Sequence, residues 1–224
     1  MDTAVTAFSP DRHVARMRDG ASWATTWALG SALTIAAIVL RAPVSESLAL
    51  SQIPPGTAPE RVATVRQIIA WSTWLGAGTA PLALLVKYAF WAGTLFLLAL
   101  CVGKQRSFRR VFALVAYASV ALAVDAALTG GFIRAGASAA SGLPTTALSL
   151  THFVDLSGWP LIRAAFDEVG LFPLLYWWLM WTGLVQALKL SRGQATGIVA
   201  VMWLLRMSIV AAMAAIATLA RGGL

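Results

Sequence analysis

Three ionisable residues stand inside long apolar runs of this sequence: Lys87, Asp125 and Arg206. At the centre of a hydrocarbon layer each would cost about 2.5–3.5 kcal/mol on insertion scales, so unpaired contact with lipid is strongly disfavoured. Helical rise sets their depths. Lys87 lies about 24 Å above Gly103 and Asp125 about 27 Å above Ser107, which predicts matching depth in the outer third of adjacent antiparallel helices. Arg206 lies about 16 Å above Ala195, nearer the middle. The spacing predicts a Lys87–Asp125 ion pair or water-bridged contact, with Arg206 as a second partner reaching upward. Ala118 and Ala121 share the Asp125 face and would let another helix approach closely. Two other readings stand beside this one: Lys87 snorkels to the outer interface, or the trio lines a path for protons or ions.

Other chemistry is sparse. His152 and Asp155 form a lone H-x-x-D near Asp167 and Glu168, whereas a metal site usually needs three or four ligands at defined spacing. The second histidine, His13, is expected on the opposite side of the membrane. No G-x-S-x-G, H-E-x-x-H or P-loop occurs. The expectation is therefore no catalytic residue, no metal, no cofactor and no enzymatic activity. Tyr176, Trp177, Trp178 and Trp181 could stack a cofactor, but lipid contact and interhelical packing are the commoner uses of such a run. A single cysteine, Cys101, allows no intramolecular disulfide and reads as a buried structural thiol.

The elements that must position these residues follow from composition. The chain is 59% hydrophobic and only 12% charged, with mean hydropathy +0.76; a soluble domain carries about 25% charged residues. Water cannot cover such a surface, so the fold class is an all-α integral membrane helical bundle in one domain. Five transmembrane helices are expected, about 22–40, 81–102, 111–129, 171–188 and 195–220, after a tail at 1–20. A secretory signal would be shorter and end in small residues, so the first run is expected to be an uncleaved span. Residues 41–58 and 130–150 read as loops. Thr57 and Glu60 have capping-box spacing with Pro59 in the first turn, predicting a helix that either lies in the interface, anchored by Trp71 and Trp74, or packs on a loop. A second interfacial helix is expected near Ser157 and Pro160. The two hairpins, each preceded by such a helix, suggest a weak internal repeat.

Charge sets the orientation. Excluding the two cations within spans, nine Lys and Arg residues fall on the expected inner side and six on the outer. Both short turns, with Lys104, Arg106, Arg109 and Arg110 in one and Lys189 and Arg192 in the other, carry no acid. The positive-inside rule then predicts a multi-pass inner-membrane protein with its N-terminus cytoplasmic and its C-terminus extracytoplasmic. The net charge of +8 is accounted for at helix ends, so nucleic acid is not an expected partner. Expected partners are the bilayer, anionic lipid head groups, and a membrane protein or a second copy of the chain.

The first basic turn carries a resemblance. Gly103, then Ser107-Phe108-Arg109 and VFALVAYASVAL, resemble the turn and third span of the Yip1-domain family. Trp178, Gly183, Leu184, Ser191, Arg192 and Ala195 are similar to its downstream segment. Val120 and Ala121 stand where the family usually has a proline. The resemblance implies a bacterial polytopic helical membrane protein. Eukaryotic relatives act in vesicle trafficking and bind small GTPases, but no GTPase-binding residue is carried over. The leading expectation is a non-catalytic scaffold or partner-binding protein; the alternative is a small transporter or channel component using Asp125, Lys87 and Arg206.

Overall fold

The computed structural model describes residues 23–103, 107–135, 162 and 169–222, the side chains of 214 and 217–222 excepted. Five helices are described along their length: α1 Trp23–Ser51, α2 Pro59–Cys101, α3 Phe108–Arg134, α4 Leu171–Gln186 and α5 Arg192–Gly222. Four of them (α1, α2, α3 and, over Arg192–Met213, α5) are long and apolar enough to cross a membrane. Helix α4 has 16 residues, almost all apolar, and spans only about 24 Å, short of the usual length of about 20 residues. The 1–20 tail, Lys104, Arg106, His13, His152, Asp155, Asp167 and Glu168, and nearly all of the second interfacial helix lie outside the described residues.

Helix α3 is the hub. It packs most extensively on α1 and also against α2 and α4, while α5 leans on α4 and α2. Its small side chains allow this: Ala113, Ala116, Ala118, Ala121 and Ala123 are all buried. Alanine keeps helix axes close where lipid offers no hydrophobic driving force for association. Larger residues fill the gaps, with Leu95, Leu114, Met180, Leu184 and Met202 fully buried. The outer faces are apolar too: Leu82, Val86 and Leu97 are each more than 60% exposed. Such patches suit hydrocarbon and would aggregate in water.

An aromatic cluster joins three helices near the α2–α3 turn. Phe112 of α3 meets Trp23 of α1 with ring centroids 5.5 Å apart and Tyr88 of α2 at 6.4 Å. Phe96 of α2 meets Phe108 at 5.9 Å. Edge-on pairs of this kind add about 0.5–1.5 kcal/mol each beyond their burial. Further along, Arg41 of α1 reaches Ala126 of α3, so α1 and α3 run parallel and α2 runs against both. The turn itself closes through Gly103, whose φ of +73° suits a residue without a Cβ just past a helix end.

Four sequence expectations change. The interfacial helix and the second span are one continuous helix of 43 residues, about 65 Å long against a hydrocarbon core of about 30 Å. Gly76, Gly78 and Pro81 signal a break, but tertiary contacts override it. Ala77 and Ala80 are buried, Trp27 Nε1 donates to Pro81 O at 3.0 Å, and Arg66 pairs with Glu46 of α1 at 3.5 Å. The capping box does not form, since Ala58 is the N-cap and the Thr57 hydroxyl donates to Pro54 O. The expected loops 41–58 and 130–150 start later than expected: α1 runs through Pro43 to Ser51 and α3 runs to Arg134, while residues 136–150 lie outside the described residues. Cys101, expected to be buried, is exposed.

Candidate functional site

Asp125 is 4% exposed, in the middle of the helix that touches most of the others. A carboxylate there needs compensation, and α1 supplies some of it. The charge of Arg41 interacts with that of Asp125, and Arg41 Nη2 donates to the Ala126 carbonyl at 3.4 Å. One turn on, the Thr129 hydroxyl donates to the Asp125 carbonyl at 2.7 Å. The helices approach closely here because residue 130 is glycine. A Cβ on Gly130 would come within 3.1 Å of the Ala37 carbonyl oxygen and 3.3 Å of its Cα.

The other members of the expected trio sit elsewhere. Lys87 is exposed on α2, and its neighbour Tyr88 meets Phe112, thirteen residues and about 20 Å of rise before Asp125 on α3. Depths counted from the connecting turn miss this offset because α2 overshoots the start of α3: Phe96 is already level with Phe108. Arg206 is half-buried on α5, its guanidinium carbon 5.6 Å from the centroid of the Tyr176 ring on α4. That is a cation–π distance, and it holds α5 to α4.

Sequence reasoning missed Arg41 as a member of this site. The prolines of 41–58 read as a loop, although the position of Arg41 at the end of an unbroken apolar run is a usable signal. Two buried hydroxyls, those of Ser31 and Tyr88, were not singled out either.

The basic turns form a second feature. Gly183, near the end of α4, abuts Leu114, in the second turn of α3. The end of α2, the start of α3 and the turn at 187–191 therefore lie at the same end of the bundle. Arg109, Arg110, Lys189 and Arg192 are all exposed there. Neither α3 nor α5 has an acidic residue in its first turn. Cations at a helix N-terminus oppose the helix dipole, so they do not serve helix stability. Lys189 takes a φ of +53° between Leu188 and Leu190, both buried. Anchoring both leucines forces the lysine outward through the left-handed region, at a cost of about 1–3 kcal/mol. Helix α5 then opens on a reciprocal cap: Gln194 N donates to Ser191 Oγ and Ser191 N donates to Gln194 Oε1, each at 3.2 Å. Replacing Ser191 with alanine is expected to destabilise the protein by about 1 kcal/mol, read as a lowered midpoint of thermal unfolding in detergent.

Among the described residues no group of three or more His, Cys, Asp or Glu is placed to hold a metal. No curated protein and no solved structure matches the chain. The Yip1 domain family matches it over residues 4–214. With that match over nearly the whole sequence, on a bundle of long apolar helices, the chain belongs to the Yip1 domain family of membrane proteins.

Proposed function

We propose that this protein is a non-catalytic membrane scaffold that binds partners through the basic end of its bundle. The observation that carries this reading is the shared placement of the two basic turns. Arg109, Arg110, Lys189 and Arg192 are presented at one end, on helix N-termini that add positive potential of their own. Lys104 and Arg106 belong to the first of these turns in sequence. Such an end attracts anionic lipid head groups, at about 1 kcal/mol per basic residue near a charged surface, or an acidic face of another membrane protein. On this reading the end is cytoplasmic in the inner membrane, with the N-terminus on the same side and the C-terminus opposite.

Neutralising Arg109, Arg110, Lys189 and Arg192 to glutamine should reduce the anionic lipid and membrane proteins co-purified from native bilayers. Unchanged co-purification by the well-folded variant would count against the proposal. Reporter fusions at the two termini test the orientation, and reporters active on the same side would overturn it.

A second reading, a small transporter or channel component using Asp125, Lys87 and Arg206, is favoured by one observation: a carboxylate 4% exposed in the central membrane helix. Intramembrane carboxylates commonly mark ion or proton pathways. The discriminating measurement is flux into liposomes, lost in Asp125→Asn if this reading holds and absent from the wild type if it does not.

A further inference from the structure

Where α1, α2 and α3 meet, two hydroxyl groups are buried without a hydrogen-bond partner. Tyr88 is 1% exposed and Ser31 is 6% exposed; neither Tyr88 Oη nor Ser31 Oγ has a partner within bonding distance. The Tyr88 ring is held in place by Phe112 of α3, which directs its hydroxyl onto α1 at Gly30. A Cβ on residue 30 would lie 2.8 Å from Tyr88 Oη. Glycine at this position keeps room for the hydroxyl, and Ser31, carrying the second orphan group, is the next residue. The neighbouring Gly30 carbonyl already accepts from Thr34 Oγ1 at 2.8 Å.

An orphan hydroxyl inside a protein costs about 1–3 kcal/mol, and hydrocarbon surroundings give it no alternative partner. Two such groups on adjoining helices, each able to donate and accept, match the requirements of an ordered internal water, which needs two to four polar partners. We propose that the α1–α2–α3 junction is an internal hydration site in which one water bridges Tyr88 Oη and Ser31 Oγ. The water joins α1 to α2 where the side chains do not bond each other directly. This site is independent of the basic turns and of Asp125.

The sign of a substitution tests it. If the hydroxyls are dry, Tyr88→Phe and Ser31→Ala each remove an orphan group and raise the unfolding midpoint in nanodiscs. If a shared water satisfies them, each substitution lowers the midpoint by about 2–4 °C, and the double variant falls no further than the worse single one. Raised midpoints, or losses that simply add, overturn the proposal. Magnetisation transfer from water to the Gly30 and Ser31 amides, measured by solid-state NMR on the full chain in lipid, supplies a readout that packing alone does not move. Transfer is expected in the wild type and at least halved in Tyr88→Phe; no transfer in the wild type overturns the site.

Discussion

Asp125→Ala is expected to destabilise the bundle by about 3 kcal/mol, more than any other charge substitution in the described helices. Asp125 is buried on the hub helix, and its charge interacts with that of Arg41. Removing Asp125 takes away an opposite charge near the half-buried Arg41; breaking a fully buried pair costs about 3–5 kcal/mol in soluble proteins. Arg41 is half-buried and can relax towards the interface, which places the estimate at the lower end. The paired change Arg41→Met with Asp125→Leu should recover most of the loss, because neither apolar side chain strands a charge. Equilibrium unfolding in mixed micelles across the four-variant cycle measures this. Equal and additive losses from the two single substitutions would show that Arg41 and Asp125 act separately.

The second large effect is steric. A Cβ on Gly183 would overlap Leu114 Cδ1 and approach Leu114 Cγ to 3.1 Å. Leu114 is only 1% exposed and belongs to the hydrophobic core, so a new rotamer must displace its neighbours. Gly183→Val should therefore push α4 off α3 and cost about 3 kcal/mol, the upper end of the usual range for overpacking. Leu114→Ala alone should also destabilise, by leaving a cavity. Combined with Gly183→Val, however, it should restore stability above that of the valine variant. The same unfolding measurement decides it, and a double variant worse than both singles would mean that the two positions are not facing. Loss of the α3–α4 contact would also separate the two basic turns, so co-purified anionic lipid should fall with stability in this series.

The legible part of this fold was the part written in periods and composition. Long apolar runs around Ala28, Leu95, Val115 and Val201 declare helices suited to hydrocarbon, whatever their neighbours do. The turn at Gly103 is equally local, since a positive φ just past a helix end needs only a few adjacent residues. The breaks expected at Pro43, Pro81 and Gly130 fail for the complementary reason. Each is a sound local stop signal in a segment that packs on a distant one: Glu46 beside Arg66, Pro81 under Trp27, and Gly130 against Ala37. A proline costs a helix about 3 kcal/mol, which packing along the whole helix outweighs.

The site divides in the same way. That Asp125 would be buried in the membrane followed from its surroundings in sequence. Which charge it meets depended on helix register. Register is reflected in the Phe96–Phe108 contact across the α2–α3 turn and the Trp23–Phe112 contact between segments far apart along the chain, which no local pattern encodes. The apolar surroundings, the helical class, the basic turns and the family could be read from contiguous residues, because each is a local property. That α2 is one unbroken rod, that Arg41 lies near Asp125, and that both basic turns share an end came from packing between distant segments. These depend on how far one helix slides along another, a quantity fixed by side-chain packing across the bundle.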